Sequence, residues 1–259
     1  MTRRALWRSV ALLTGVLLAL VSAVGMLRGL AQESYTGHRS YAMPVSQLTV
    51  DSSAGNITVV PGPVGRVTVI QRLHWATTRP SVTVVPHGDT MTLGIDCGEY
   101  GPVSDWGCSA DVTVEVPPQT SVVSDDDAGT IDVQRLSGAL DLQSGGGVIR
   151  LQGVSGQVQA TAGSGEVLGE GLLSATVVAG TDSGDIQLTF SRPPQRVQAE
   201  DGSGSVGLHL PPGSRYRVSG GCSPDGSWDV TTGLQDASAV GSIGATCGSG
   251  SVDIVYAAR

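Results

Sequence analysis

GTIDV (129–133), GVIRL (147–151), GEVLG (165–169), GDIQL (184–188) and GSVGL (204–208) are copies of one phrase, a glycine followed by alternating polar and apolar residues. Their glycines, Gly129, Gly147, Gly165, Gly184 and Gly204, are spaced by 18, 18, 19 and 20 residues. A unit that short cannot bury a core alone, so a fixed period of this size signals a stack of repeats. Outlying copies, GNITV from Gly55 and GSVDI from Gly250, lead to the expectation that the same unit opens and closes the domain.

Each period carries a second alternating run: Leu140 and Leu142, Val158 and Ala160, Val197 and Ala199, then Tyr216 and Val218. One repeat is therefore two strands and two turns. Side chains alternate between faces along a strand, so Ile131, Ile149, Val167, Ile186 and Val206 should form one interior column. Val133, Leu151, Leu188 and Leu208 should form the next, with Gly169 leaving a thin spot. The glycine heading each repeat is expected at a chain reversal with positive φ, a conformation most residues avoid. Upstream, LTV (48–50), NITVV (56–60), RVTVI (66–70), SVTVV (81–85), MTLGI (91–95) and DVTVEV (111–116) also read as strands rich in β-branched residues. Helical periodicity is missing beyond the N-terminus, so the fold class is all-β, a β-solenoid-like two-layer stack over 45–259.

The N-terminus differs in kind. Arg3, Arg4 and Arg8 precede the charge-free stretch 9–27, and Arg28 follows it. Nineteen residues in a helix reach roughly 28 Å, close to the hydrocarbon thickness of a bilayer. The arginine bias places residues 1–8 in the cytoplasm and the bulk outside. The stretch reads as one N-terminal transmembrane helix, or as a cleaved signal peptide ending near Ala23 or Ala31. A polar segment, 28–44, is expected as a spacer.

All 23 carboxylates but only eleven of the fifteen basic residues lie beyond residue 31, which leaves the exported part near −12. A nucleic-acid partner is excluded on that charge. The four cysteines, Cys97, Cys108, Cys222 and Cys247, suggest two local bridges, 97 to 108 and 222 to 247, among three formal pairings. Neither pair has zinc-ligand spacing and the four histidines are scattered, so no metal or other cofactor is expected.

The succession VTVEVPPQTSV (112–122), DAGTIDV (127–133), LSGALDLQSGGGVIRL (136–151), SGQVQATAGSGEV (155–167) and TDSGDIQL (181–188) resembles the bacterial toast-rack family of adhesin-like domains of unknown function. The resemblance covers about residues 47–255. It implies a stacked β-domain, often tethered outside the membrane, with no catalytic residues to carry over and with adhesion or envelope sensing as roles. The two cysteine pairs and the 46-residue interval between Gly204 and Gly250 depart from the simple pattern.

An enzyme reading is the alternative. Glu166 and Asp185 hold equivalent outward positions on successive repeats, within roughly 5 Å if the stack is in register, and such a pair could serve glycosidic acid–base chemistry. Two solvated carboxylates are the plainer reading, since no repeat aromatic flanks them. Asp132 and Arg150 are expected to form an exposed ion pair. Asp125, Asp126 and Asp127 read as a solvated turn rather than a calcium site. Gly202-Ser203-Gly204 belongs to the repeat, not to a nucleophile elbow. Specificity falls instead to the cysteine-closed segments. Tyr100 and Trp106 lie in one and Trp228 in the other, each readable as a contact for a surface protein or glycan or as a cap over the core. Trp75, at a strand end, reads as packing. A structural scaffold without a ligand is the remaining alternative.

Overall fold

The computed structural model describes residues 14–15, 33–53, 55–76, 79–97 and 108–257. Of the expected membrane segment, only residues 14 and 15 are among these, and both are helical; the rest lies outside the described residues. Among the described residues no helix is long and apolar enough to cross a membrane.

The remaining regular structure is strand. The N-terminal part forms β1 (Glu33–Tyr41), β2 (Gln47–Ser52), β3 (Gly55–Pro61), β4 (Val67–Trp75), β5 (Ser81–His87), β6 (Thr90–Asp96) and β7 (Ser109–Val116). The repeats form β8 (Ser121–Asp126), β9 (Gly129–Gln134), β10 (Leu140–Ser144), β11 (Val148–Gln152), β12 (Val158–Ala162), β13 (Glu166–Leu172), β14 (Thr176–Thr181), β15 (Ile186–Phe190), β16 (Arg196–Asp201) and β17 (Ser205–Leu210). The chain ends with β18 (Arg217–Cys222), β19 (Ser227–Val230), β20 (Ser242–Cys247) and β21 (Ser251–Tyr256).

Two sheets face each other. One runs β1-β4-β7-β3-β9-β11-β13-β15-β17-β21-β19 and the other β18-β20-β16-β14-β12-β10-β8-β2-β6-β5. Each repeat gives one strand to each sheet, and from β7 to β19 and from β6 to β18 every neighbour is parallel. This is a two-sided parallel solenoid. Only β1, β4 and β5 run antiparallel, at one end. The supposed spacer thus supplies β1. It escapes a sequence reading because it is an outer strand in which only Gly37 is buried, so no alternation marks it.

Rung order departs from chain order at both ends. The β2/β3 rung lies between β6/β7 and β8/β9, and β20/β21 lies between β16/β17 and β18/β19. The outlying copies from Gly55 and Gly250 therefore do not open and close the stack; each is enclosed. Their apolar faces find a rung on both sides, and less regular segments take the exposed ends.

The interior columns form in register. Ile57, Ile131, Ile149, Val167, Ile186, Val206 and Val252 follow one another from rung to rung with no exposure. In the facing sheet Ala160, Ala179, Ala199 and Ala245 follow one another as a buried column of small side chains. The thin spot at Gly169 is filled. A register shift after Gly169 turns Leu172 inward, and a β-carbon on Gly169 would come within 2.8 Å of the Leu172 and Leu188 side chains.

The repeat glycines have a different reason from the one their pattern suggests. Gly55, Gly129 and Gly250 adopt φ of +134°, +141° and +159°, but Gly147, Gly165, Gly184 and Gly204 are not among the positive-φ glycines. A β-carbon on Gly129 would lie 1.8 Å from the Gly55 carbonyl oxygen. On Gly147, Gly165, Gly184 or Gly204 it would lie 1.9 Å from the oxygen of the preceding repeat glycine, and on Gly250 1.7 Å from that of Gly204. Backbone stacks directly on backbone at this corner, and no side chain fits between.

Candidate binding site

Three residues before each repeat glycine the chain turns inward, forming a third column of Ser52, Asp126, Ser144, Ala162, Thr181, Asp201 and Cys247. Small polar groups there can bond the turn that follows. The Ser144 hydroxyl accepts the Gly147 N–H at 3.0 Å, and Asp201 accepts the Ser203 N–H at 3.2 Å and the Thr181 hydroxyl at 3.3 Å. Burial raises the Asp201 carboxyl above its ordinary range, opposed by those two bonds. Asp126 is wholly buried and neither oxygen has a hydrogen-bond partner. Its pKa is pushed up to about 6, first by burial; the facing Ser52 hydroxyl offsets part of this, and Asp127 and Asp125 add to it. The acidic run is thus split. Asp125 and Asp127 are exposed, and Asp126 belongs to the core rather than to a solvated turn.

Of the other carboxylates named from the sequence, Asp185 and Asp132 are held by hydrogen bonds. Glu166 and Asp185 stand on adjacent rungs, since the Val167 N–H donates to the Asp185 carbonyl at 2.9 Å. The Asp185 carboxylate turns to the following rung, where it accepts the Ser205 N–H at 2.9 Å and also the Ser205 hydroxyl. Acid–base work with Glu166 would require breaking that bonding. Asp132 and Arg150 are in register but do not pair. Asp132 accepts the Gln134 amide at 3.0 Å, because a neighbour on its own strand is as near and costs no reach.

Both cysteine pairs are bridged. Cys97–Cys108 spans the connection from β6 to β7 with Cα atoms 6.0 Å apart, and Cys222–Cys247 joins adjacent strands β18 and β20 at 4.4 Å. Each clamps a rung near one end of the stack. Tyr100 and Trp106 lie outside the described residues. Trp228 stands opposite Val252, at the end of the first interior column, yet remains 37% exposed. It shares that column's register and meets solvent. Trp75 packs against the core edge, and the Arg79 guanidinium lies 5.2 Å from its ring and 4.5 Å from that of Tyr35.

A feature the sequence did not reveal adjoins the end built by β18 to β21. Segments 193–196, 214–216 and 236–241 enclose an open cleft of about 770 Å³. Buried Leu234 anchors its loop, and the Tyr216 N–H donates to the Leu234 carbonyl at 2.9 Å. The Tyr216 ring lies beneath Gly241, where a β-carbon would be 2.8 Å from it, and its buried hydroxyl has no partner. Asp236 accepts the Ser238 hydroxyl at 2.6 Å and N–H at 2.9 Å, which hold its carboxyl below the usual range; Arg215 contributes from 3.6 Å. With Thr176 the cleft's residues come from four parts of the chain, so no local motif marks them. The long interval between Gly204 and Gly250 is the available signal.

No family model matches this chain, and no curated protein matches it. Solved structures overlap it at low identity. One is described as a "putative cell adhesion protein" from Clostridium sporogenes, 12% identical over 86% of this chain and 100% of that one, with a TM-score of 0.40. Another is a "putative adhesin" from Bacteroides fragilis, 16% identical over 86% and 97%, with a TM-score of 0.36. A third, a "putative lipid binding protein" from Parabacteroides distasonis, is 10% identical over 85% and 96%, with a TM-score of 0.40.

Proposed function

We propose that this chain is a non-enzymatic surface module of adhesin-like or envelope-sensing type, held at the cell membrane by a helix over 9–27 with its β-domain outside. The observation that carries the reading is where irregularity falls. The rungs from β8 to β17 are set by backbone stacking, while both disulfides, Trp228 and the cleft are gathered near the ends. Disulfides persist in oxidising compartments, which supports an extracytoplasmic site. A partly exposed aromatic at the end of the stack suits contact with a surface protein or glycan. Tyr100 and Trp106, in the other bridged segment, have the same residue chemistry.

Photo-crosslinking on intact cells tests this. Crosslinkers beside Tyr100, Trp106 and Trp228 should capture a partner whose recovery falls at least tenfold when the three are replaced by Ala. Unchanged recovery would sink the binding role. For the tether, intact-mass analysis of the membrane fraction should find the N-terminus at Met1; a start after Ala23 or Ala31 would mean a cleaved signal peptide.

A further inference from the structure

The cleft beside β18 collects positive charge on an acidic protein. Arg196 and Arg215 line the cavity of about 770 Å³, within the range of roughly 300–1,000 Å³ that ligand sites occupy. Arg196 also lines an adjoining groove of about 270 Å³ on the outer face of the same sheet. There it shares a row with Arg217, with only Ser242 between them. Arg196 and Arg217 thus flank Ser242 and a third arginine, Arg215, lines the cavity, although the chain beyond residue 31 is near −12. Local inversion of sign against the overall field focuses anions on one place. Of the two carboxylates facing this region, Asp236 is held by Ser238 and Arg215, and Glu200 accepts the Gln198 amide at 2.7 Å. Neither forms an ion pair with Arg196 or Arg217, and Glu200, which keeps its charge, offsets only part of the local excess.

We infer that this cleft and groove bind an anionic glycan, a polysaccharide bearing carboxylate or phosphate groups along its length. Guanidinium forks bond both groups in bidentate fashion. Arg196 and Arg217 are two strands apart, roughly 10 Å, so they engage separate anionic groups of one chain rather than one small ion. The cavity supplies room for the sugar between charges, and Tyr216 forms part of its wall. The break in the repeat thus has a use: β18 and the 231–241 loop build walls that a regular rung lacks.

The inference adds a ligand class to the surface-module reading and rests on it. Calorimetry with the full chain, using oligogalacturonate, phosphomannan and neutral dextran, tests it. Either anionic glycan should bind, more weakly as salt rises, and dextran should not; which of the two binds identifies carboxylate or phosphate as the recognised group, and binding of both identifies charge as the shared requirement. Arg196→Ala with Arg215→Ala should weaken binding at least tenfold. Val240→Glu, at a position 95% exposed on the rim, should weaken it severalfold without disturbing the fold. Arg150→Ala, on the other sheet, should change nothing. Absence of binding to both anionic glycans, equal binding of dextran, or unchanged binding by both cleft variants would overturn the inference. Crosslinks at Tyr100, Trp106 and Trp228 that persist in the same preparation would confine the failure to the ligand class; their loss as well would remove the module reading.

Discussion

The rungs from β8 to β17 and the end built by β18 to β21 use the same unit but are held differently. In the first region each repeat glycine carries the next on its carbonyl, and no disulfide occurs. At the second, the ladder takes one more close step, from Gly204 to Gly250, and then loosens, a β-carbon on Gly226 lying 3.0 Å from the Gly250 carbonyl oxygen. A disulfide replaces the small polar residue of the third column, a tryptophan replaces the aliphatic residue of the first, and a loop of irregular chain forms the cleft. Where backbone sterics dictate the spacing, side chains have little to decide. Where the ladder ends, covalent and aromatic contacts take over and the surface is free to acquire a site.

The largest expected effect breaks the ladder. Gly165→Ala places a β-carbon 1.9 Å from the Gly147 carbonyl oxygen, so the rungs must separate. A loss of about 4 kcal/mol or more, or failure to fold, should appear in denaturant titration. Gly180, inside β14, is the control, since nothing lies closer than 3.9 Å to its added β-carbon. Gly180→Ala should be neutral or stabilising by about 0.5 kcal/mol, because alanine restricts the unfolded chain. Equal losses at both would show that glycine flexibility, not stacking, matters.

Next is the end clamp. Cys222 and Cys247 close a loop with a sequence separation of 25, and replacing both with Ser should cost about 3.5 kcal/mol. The loss should be local. Hydrogen exchange should accelerate in β18 to β21 while β8 to β17 keep their protection; uniform acceleration would mean the two regions are one cooperative unit.

How much of this was legible follows from the same contrast. The period and the interior columns could be read because every rung obeys one register, and alternation survives in residues such as Ile131, Ile149 and Val167. The third column was equally available, three residues ahead of each glycine, but the neighbouring charges of Asp125 and Asp127 made Asp126 look like part of a solvated run. Rung order at the ends could not be read. Copies with interchangeable faces pair by contact rather than by chain order, and nothing in GNITV or GSVDI says which neighbour each will take. The cleft was hidden for a related reason, since Arg196, Arg215 and Val240 come together only after β20/β21 inserts ahead of β18/β19.

Asp126 gives the third test, within the regular region. Its folded pKa of about 6 lies above the ordinary 3.8, so between these values the folded state holds a proton that the unfolded chain releases. Stability should therefore fall as pH rises through about 4 to 6, with the full cost present above 6. Asp126→Asn removes the titration and should raise stability at pH 7.5 by about 2 to 3 kcal/mol, with little change near pH 3. Asp201, in the same column with two hydrogen bonds to its carboxylate, should respond less to Asp201→Asn. A pH-independent gain at Asp126 would place the effect in packing instead.

The smallest effect separates the two roles of Trp228. It stands in register with Val252 and is 37% exposed, so truncation to Ala should cost about 1 to 2 kcal/mol, less than for a fully enclosed aromatic. Trp228→Leu restores most of the apolar cover but not the flat ring. If the residue serves only to close the stack, Leu should recover both stability and crosslinked partner. If its exposed edge contacts a ligand, Leu should recover stability alone, and the end of the ladder will have been shown to carry a property that no rung inside it has.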